Sequence, residues 1–318
     1  MSEVADRPAA PAAASAVALS SGVAIHSRRA GVVLLVILTV VWGVHWAVVK
    51  IGLQTMPPLT YATLRVGLGL ATVVGALAAG GRLHRPPRSD LPIVVSVGLG
   101  QVAAGVLIMN LALQVVAAGR SSVLVYTMPL WVAVLLAILF RVRPRRSELA
   151  GLALGIAGLA LLLNPAVIDW GSPGQLAGTA ALLFNAATWA AVTIHVRRHR
   201  WTLSPLELQP WQLLVALVPI AVAAFLVEGF RGIDWQPSTV FALLYSAPLA
   251  TVFGFWASQA VTRSLGAQAS ATGFLAVPVV GLAAGSMLLG ETLGLLDVAG
   301  FALVLAGVGV ASLWPRRR

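Results

Sequence analysis

ELAGLALGIAGLA, at residues 148–160, recurs as DVAGFALVLAGVG at residues 297–309. The two copies lie 149 residues apart and are identical at six of thirteen positions, each of them Ala, Gly or Leu. The same separation pairs Pro129 with Pro278 and Asn110 with Gln259. An offset shared by three separate segments is typical of an internal duplication. The chain is therefore predicted to contain two copies of one structural unit.

The composition is that of a membrane protein. Of the 318 residues, 59% are hydrophobic and only 10% are charged, which is more apolar surface than a soluble globule can bury. The net charge of +11 could indicate nucleic-acid binding in a soluble protein, but here the basic residues stand in short clusters between apolar runs. We therefore expect the lipid bilayer, and no nucleic acid, as a partner. The chain has no cysteine, which excludes disulfides and thiolate metal sites.

Ten apolar runs approach the length of about 20 residues that spans a bilayer as a helix. They cover residues 31–51, 58–79, 91–116, 120–140, 147–163, 174–196, 208–228, 238–260, 268–289 and 294–314. Residues 1–28 are rich in Ala, Pro and Ser and are predicted to form a disordered cytoplasmic tail. The first run is too long for a signal peptide and has no cleavage site after it, so we expect it to be retained.

Lysine and arginine are distributed unevenly between alternate loops. One set of loops and flanking segments holds 16 of them, whereas the other holds only Lys50, Arg120 and Arg231. Because basic residues are retained in the cytoplasm, both termini are predicted to be cytoplasmic. Five spans per copy is an odd number, so the two copies, residues 29–165 and 166–318, would cross the membrane in opposite directions. Inverted repeats of this kind form transporters that bind substrate near the midplane and work by alternating access.

Three stretches carry a resemblance to a known family. They are PPLTYATLRVGLGLA at 57–71, SSVLVYTMPLWVAVLLAIL at 121–139 and GETLGLLDVAGFALVLAGV at 290–308. Within a duplicated ten-helix frame, they resemble the EamA-type branch of the drug/metabolite transporter superfamily over residues 31–314. The resemblance implies a multi-pass protein of the bacterial inner membrane that exports amino acids, related metabolites or toxic compounds.

Two ionisable side chains stand out within the predicted spans. Arg65 would cost about 2.5–3.5 kcal/mol near the bilayer centre on insertion scales, so a compensating partner is required. It either pairs with a substrate carboxylate or ties backbone carbonyls of neighbouring helices together. His45 lies at a similar depth and could line the same cavity. It could couple proton movement to transport, although a buried, hydrogen-bonded structural role is the stronger hypothesis.

Aromatic and amide side chains supply the remaining candidates for substrate contact. Trp42 and Trp46 lie one helical turn apart, and an offset of 143 pairs them with Asn185 and Trp189. A flat aromatic wall beside a polar group suits amphipathic substrates, although tryptophan in membrane helices also packs or anchors at interfaces. The candidate substrate-binding set is Arg65, His45, Trp42, Trp46, Asn110, Tyr126, Asn185 and Trp189. Amides such as Asn110 more often bond between helices, with about 0.6 kcal/mol each.

Pro129 and Pro278 fall near the middle of the predicted fourth and ninth helices. Each proline removes a backbone donor and frees carbonyl groups, which membrane helices tolerate where these groups are buried or line a cavity. The two residues are candidate gate hinges. Proline is also common in membrane helices without such a role.

The sequence favours a non-enzymatic transporter that needs neither a cofactor nor a metal. No motif places a nucleophile beside a base, and the acidic residues stand mostly at helix ends. A midplane carboxylate, expected in a multidrug-cation carrier, is not predicted. The leading hypothesis is export of small amphipathic carboxylates such as amino acids, and the alternative is efflux of drugs or aromatic cations. Ten helices can enclose a cavity without a partner, so we expect a monomer.

Overall fold

The structure is a computed structural model that describes residues 28–141, 146–162, 171–265, 274 and 276–313. Across these ranges the chain forms helices and short connections, and no strand. Residues 1–27 of the predicted N-terminal tail and the arginines at 316–318 lie outside them, whereas Arg28 begins the first helix.

Thirteen α-helices make up the described part of the chain. They are α1 (Arg28–Gly52), α2 (Pro58–Ala79), α3 (Leu91–Ser96), α4 (Ala104–Ala112), α5 (Ala118–Val125), α6 (Met128–Phe140), α7 (Arg146–Leu162), α8 (Pro173–Arg198), α9 (Pro205–Val227), α10 (Pro237–Leu244), α11 (Gly254–Leu265), α12 (Ala276–Leu289) and α13 (Leu295–Leu313). A 3-10 turn, Arg88–Asp90, precedes α3.

Seven helical stretches among these residues are long and apolar enough to cross a membrane. They are Arg29–Gly52, Pro58–Ala79, Arg88–Ala112, Ala118–Phe140, Pro173–Val196, Pro205–Val227 and Pro237–Ser258. Each matches one of the predicted runs. Three shorter apolar helices, Leu149–Leu162, Ala276–Leu289 and Leu295–Val310, fall on the other three runs. The prediction of an all-α, multi-pass membrane protein is confirmed.

Proline and acidic residues fix where several helices begin. α2, α8, α9 and α10 each start at a proline, whose fixed φ and missing N–H suit the first helical position. At the start of α9, Ser204 and Glu207 also form a capping box. α2 has no cap from its own flanking sequence. Instead, the distant Glu228 carboxylate accepts hydrogen bonds from the backbone N–H groups of Leu59 (2.9 Å) and Thr60 (2.7 Å).

α2 and α9 run antiparallel, and ionic contacts join them at both ends. Glu228, at the end of α9, holds the start of α2, while Arg82, just after α2, pairs with Glu207 near the start of α9 at 3.4 Å. We call the end marked by Arg82 the basic end, because Arg198 ends α8 there and Arg200 follows in the connection between α8 and α9. The end marked by Glu228 is the opposite end.

The two copies of the repeated stretch lie on α7 and α13, which form the most extensive helix pair in the described part of the chain. A Cβ atom at Gly158 would lie 2.7 Å from the carbonyl oxygen of Gly300, and one at Gly307 would lie 2.5 Å from that of Gly151. The offset of 149 residues relates Gly158 to Gly307 and Gly151 to Gly300, so the two contacts are equivalent. Small residues let membrane helices approach this closely. We call this α7–α13 contact the seam.

Two π-helical segments interrupt otherwise α-helical runs. The first π segment, Val97–Ala103, joins α3 to α4, and the second π segment, Tyr245–Phe253, joins α10 to α11. Their positions correspond under the same offset, to within a residue. The first packs against α9 and the second against α2, so each contacts a long helix from the other half of the chain. Short π-helical turns in α-helices are frequent at functional sites.

Candidate functional site

A cavity of about 610 Å³ lies inside the helix bundle. Its wall is built from both halves of the chain, with contributions from α1, α2, α8, α9 and both π segments among others. It extends towards the basic end, where Trp201, Pro205 and Leu206 line it. Towards the opposite end, a packed cluster that includes Trp46, Met109 and several aliphatic side chains fills the bundle. The cavity therefore extends towards the basic end, and close packing blocks it towards the opposite end.

Arg65 is the only charged side chain in this wall among the described residues. It projects from α2 and is 6% exposed. Its Nε donates a hydrogen bond to Thr251 Oγ1 (3.1 Å), and its Nη1 approaches the sulfur of Met109 at 4.0 Å. A buried guanidinium with so few partners carries a large desolvation cost. An anionic group that enters the cavity would reduce this cost.

The second π segment positions the partner of Arg65. Thr251 Oγ1 donates to the carbonyl oxygen of Ser246 at 2.7 Å, which leaves its lone pairs free to accept from Arg65. The hydroxyl of Ser246 in turn hydrogen-bonds the Tyr61 hydroxyl at 2.7 Å. Gln209 of α9 donates from Nε2 to the carbonyl oxygens of Thr251 and Val252, both at 3.5 Å. Three helical elements thus meet around Thr251.

Thr251 and Gln209 were not among the sequence-based candidates. A π-helical turn adds one residue without changing the hydrophobicity of a run, so the pattern of the sequence does not reveal it. The sequence did contain one sign of this part of the site, because Gln209 is a polar residue in the predicted seventh span. The structure adds it to the cavity wall.

His45 lies in the same wall as Arg65. Its ring stacks on that of Tyr245 with 6.4 Å between centroids and 13° between planes. It is 6% exposed, and its Nε2 has no hydrogen-bond partner in the part of the chain that the structure describes. A buried, unpaired ring nitrogen is available to a polar substrate group.

Aromatic rings form one side of the cavity. Trp42 and Trp189 each lie 6.2 Å from Phe255, measured between ring centroids, and Phe274 lies 5.9 Å from Trp42. The indole N–H of Trp42 donates to the carbonyl oxygen of Ala250 at 3.0 Å, which fixes the ring against the second π segment. We call Trp42, Trp189, Phe255 and Phe274 the aromatic wall. Phe255 and Phe274 were not predicted.

Asn185 and Trp189 lie together on α8, opposite Gly105. Neither Asn185 Oδ1 nor Trp189 Nε1 has a hydrogen-bond partner among the described residues. A Cβ atom at Gly105 would lie 2.9 Å from Trp189 Nε1, so a larger residue would force the indole to shift, whereas its distance of 3.7 Å from Asn185 Oδ1 is an ordinary contact. The site therefore offers an acceptor and a donor side by side. Trp46, the remaining predicted tryptophan, also lines the cavity but is largely packed in the cluster at the opposite end.

The remaining candidate residues differ in whether they line the cavity. Tyr126 and Pro129 line the cavity at the junction of α5 and α6, where the helix is interrupted at Tyr126 and Thr127. Pro278 is buried near the start of α12. Asn110 lies outside the cavity wall, fully buried, and donates from Nδ2 to the carbonyl oxygen of Pro58 at 2.9 Å. That bond between helices is the structural alternative considered for this residue.

Carboxylates tie the halves of the chain together at the opposite end. Glu291, between α12 and α13, accepts from the backbone N–H groups of Ala118 (2.7 Å) and Gly119 (3.1 Å) at the start of α5. It also pairs with Lys50 at 3.0 Å. Nearby, Arg120 pairs with Asp297 at 3.0 Å. A negative charge at a helix N-terminus is favourable, so these contacts tie the start of α5 to the connection between α12 and α13 and to the start of α13.

In the described part of the chain, membrane-length helices surround a cavity whose wall carries one buried charge, an arrangement that membrane transporters share. The described residues include no group of three His, Asp or Glu side chains placed to hold a metal ion.

The chain belongs to the EamA-like transporter family, whose sequence model matches residues 29–164 and 176–313. It is therefore a non-enzymatic transporter of the multi-pass membrane class, and the resemblance read from the sequence is confirmed.

Several curated proteins are similar along nearly their whole length. A Salmonella typhimurium protein named "Probable amino-acid metabolite efflux pump" is 30% identical over 89% of this chain and 94% of its own. An Escherichia coli protein of the same name is 28% identical with the same coverage. An uncharacterized transporter of Bacillus subtilis is 25% identical over 88% of this chain and 96% of its own.

A solved crystal structure shares the fold. It matches with a TM-score of 0.61, covering 92% of this chain and 100% of the other at 22% sequence identity.

Proposed function

We propose that this transporter exports small amphipathic carboxylates, above all amino acids, across the bacterial inner membrane. The observation that carries the proposal is Arg65, the single charged side chain among the described residues that line the cavity. A carboxylate would pair with the guanidinium in a charge-assisted hydrogen bond. The aromatic wall would pack the apolar part of the substrate. The relatives named as amino-acid metabolite efflux pumps support the same substrate class.

The proposed mechanism is alternating access by two inverted five-helix repeats, residues 29–165 and 166–318. Three features support it. The seam contact is made twice, the two π segments stand at corresponding positions, and each packs on a helix from the other half. The family matches at 29–164 and 176–313 follow nearly the same division. Ten spans would follow if the three shorter apolar helices also cross the membrane.

The excess of basic residues indicates that the basic end and both termini face the cytoplasm. In that orientation, the conformation described here would bind substrate from the cytoplasm, because the cavity extends towards the basic end and close packing blocks the other. Export would require Glu291 and Glu228 to release α5 and α2. The interruption before Pro129, and Pro278 in α12, are the proposed hinges. The cavity lies within one chain, which is consistent with a monomer.

Counterflow in proteoliposomes tests the proposal. Vesicles loaded with a single unlabelled amino acid should accumulate the labelled tracer at equal pH on both sides. Arg65→Gln should weaken the apparent affinity for carboxylates about ten- to a hundredfold, since a hydrogen bond to a charged group contributes about 1.5–3 kcal/mol. Arg231→Gln removes the same charge from an exposed connection and should leave exchange unchanged.

The alternative is efflux of aromatic cations, which the aromatic wall could bind through cation–π contacts. Arg65 opposes this function because it would repel a cation in the same cavity. If the folded protein exchanges no amino acid, and Arg65→Gln leaves cation efflux intact, the cation hypothesis replaces ours.

A further inference from the structure

We propose that Gln209 binds the amino group of the substrate, beside the carboxylate site of Arg65. The inference rests on the proposed function and makes its substrate class more specific, namely zwitterions that carry both groups. Arg65 reaches the hydroxyl of Thr251 from α2 at 3.1 Å, and Gln209 reaches the carbonyl oxygen of Thr251 from α9 at 3.5 Å. Both side chains line the cavity. The charged donor and the amide are thus held around one residue of the second π segment.

The hydrogen bonds of Gln209 determine which way its amide points. The two groups that it contacts, the carbonyl oxygens of Thr251 and Val252, can only accept. Nε2 must therefore face them, and Oε1 must face away. Gln209 is 4% exposed, and its Oε1 has no partner among the described residues. An unpaired buried carbonyl costs about 1–3 kcal/mol, so a ligand with a spare N–H group would gain affinity there.

Charge determines what kind of ligand can satisfy both groups. The described residues of the cavity wall include no carboxylate, so an ammonium group must bind to neutral acceptors. An isolated cation would be repelled by Arg65, whereas a zwitterion brings a carboxylate that neutralises the guanidinium. In an α-amino acid the two charged groups are attached to the same carbon, which suits a donor and an acceptor arranged around one residue. A carboxylate without the amino group would leave Gln209 Oε1 unpaired.

The test compares L-phenylalanine with 3-phenylpropanoate, the same molecule without its amino group. The aromatic wall offers both ligands the same packing. Affinities are measured in the full chain by counterflow inhibition, for the wild type and for Gln209→Met, which keeps the side-chain length and removes the acceptor. We expect the wild type to prefer phenylalanine and the variant to bind it about tenfold more weakly. Binding of 3-phenylpropanoate should change less than about twofold.

Further variants separate the possible failures. Gln54→Met makes the same substitution at an exposed position outside the cavity wall and should leave both affinities unchanged. If Gln209→Met does not fold, Gln209→Lys decides the question, because its ammonium group can still donate to the carbonyl oxygens of Thr251 and Val252 but offers no acceptor and repels the amino group of phenylalanine. It should lower the preference for phenylalanine over 3-phenylpropanoate, and an unchanged preference in Gln209→Lys overturns the inference.

The remaining outcomes are also decisive. Equal weakening of both ligands by Gln209→Met would mean a structural role, and no weakening would mean no contact; either result overturns the inference. A wild type that binds the two ligands equally well overturns it too, while leaving Arg65 as the carboxylate site. A wild type that binds neither ligand overturns the proposed function and this inference together.

Discussion

The seam and the π segments show two different consequences of the same duplication. In the seam, both copies make the same contact, with Gly158 against Gly300 and Gly307 against Gly151. In the π segments, the helical distortion occurs in both copies, but the side chains differ. The second carries Thr251, which holds Arg65, whereas the offset of 149 places the apolar Val102 in the first. A symmetric framework therefore supports an asymmetric site.

The difference has a physical reason. Close helix packing depends on the absence of side chains, so both copies must keep small residues at the crossing. A binding site for an asymmetric small molecule needs only one set of polar groups. A second buried set would carry a desolvation cost without a ligand to offset it. Changes in the seam should therefore affect stability from either copy, and changes near the second π segment should affect binding.

The largest effect is expected in the seam. Gly158→Leu and Gly307→Leu should each lower the free energy of unfolding by about 3 kcal/mol or more, because the new side chain meets backbone atoms that no rotamer change can move. Since the two contacts are equivalent, the two losses should be closely similar. Thermal unfolding of the purified protein in detergent measures them.

Gly75→Leu is the matched control, because a Cβ atom at Gly75 on α2 would meet nothing within 4 Å. It should be neutral, or slightly stabilising because leucine favours helix more than glycine does. A strong effect from only one of the two seam variants would show that the seam is not symmetric.

The sequence was sufficient to predict those parts of the fold that depend on hydrophobicity and repetition. The apolar runs located the helices, and the repeated stretch indicated the duplication, although it did not predict that the two copies pack against each other in the seam. The similar depth of Arg65 and His45 suggested a shared cavity, and both side chains lie in the cavity wall. The sequence did not reveal whether the Asn110 side chain faces the cavity or a neighbouring helix, because the position of a residue along its helix does not identify what packs against it. It also missed Gln209 and Thr251, whose role depends on a π-helical turn that packing between the halves stabilises.

A smaller effect on stability is expected at Asp90 and Glu228. Each carboxylate accepts hydrogen bonds from backbone N–H groups at the start of a helix in the other half of the chain, although the two positions are not related by the offset of 149 residues. Asp90, fully buried, accepts from the backbone N–H groups of Thr202 (3.2 Å) and Leu203 (2.9 Å), just ahead of α9. Glu228 plays the same part for α2 and is only partly buried. We expect Asp90→Asn to cost about 2–3 kcal/mol of stability and Glu228→Gln about 1 kcal/mol, because an amide replaces some acceptor capacity with donors.

The same unfolding measurement tests this ranking, with Asp234→Asn as the control. Asp234 is exposed, and its substitution should change stability by less than about 0.5 kcal/mol. Equal losses of stability at Asp90 and Glu228 would show that these two helix ends, like the two contacts of the seam, are energetically equivalent. A larger loss at Glu228 would contradict the ranking by burial.

The smallest expected change in stability, and the most specific change in function, is at Thr251. Thr251→Val keeps the shape of the side chain and removes the hydroxyl that accepts from Arg65 Nε at 3.1 Å. A less firmly held guanidinium should raise the KM for carboxylate counterflow about tenfold, while the maximal rate changes little. Thr251→Ser retains the hydroxyl and should behave like the wild type. If Thr251→Ser is impaired and Thr251→Val is not, the methyl group and not the hydroxyl matters. If neither is impaired, the Thr251 hydroxyl does not position Arg65, and the functional difference between the two copies must lie elsewhere in the cavity wall.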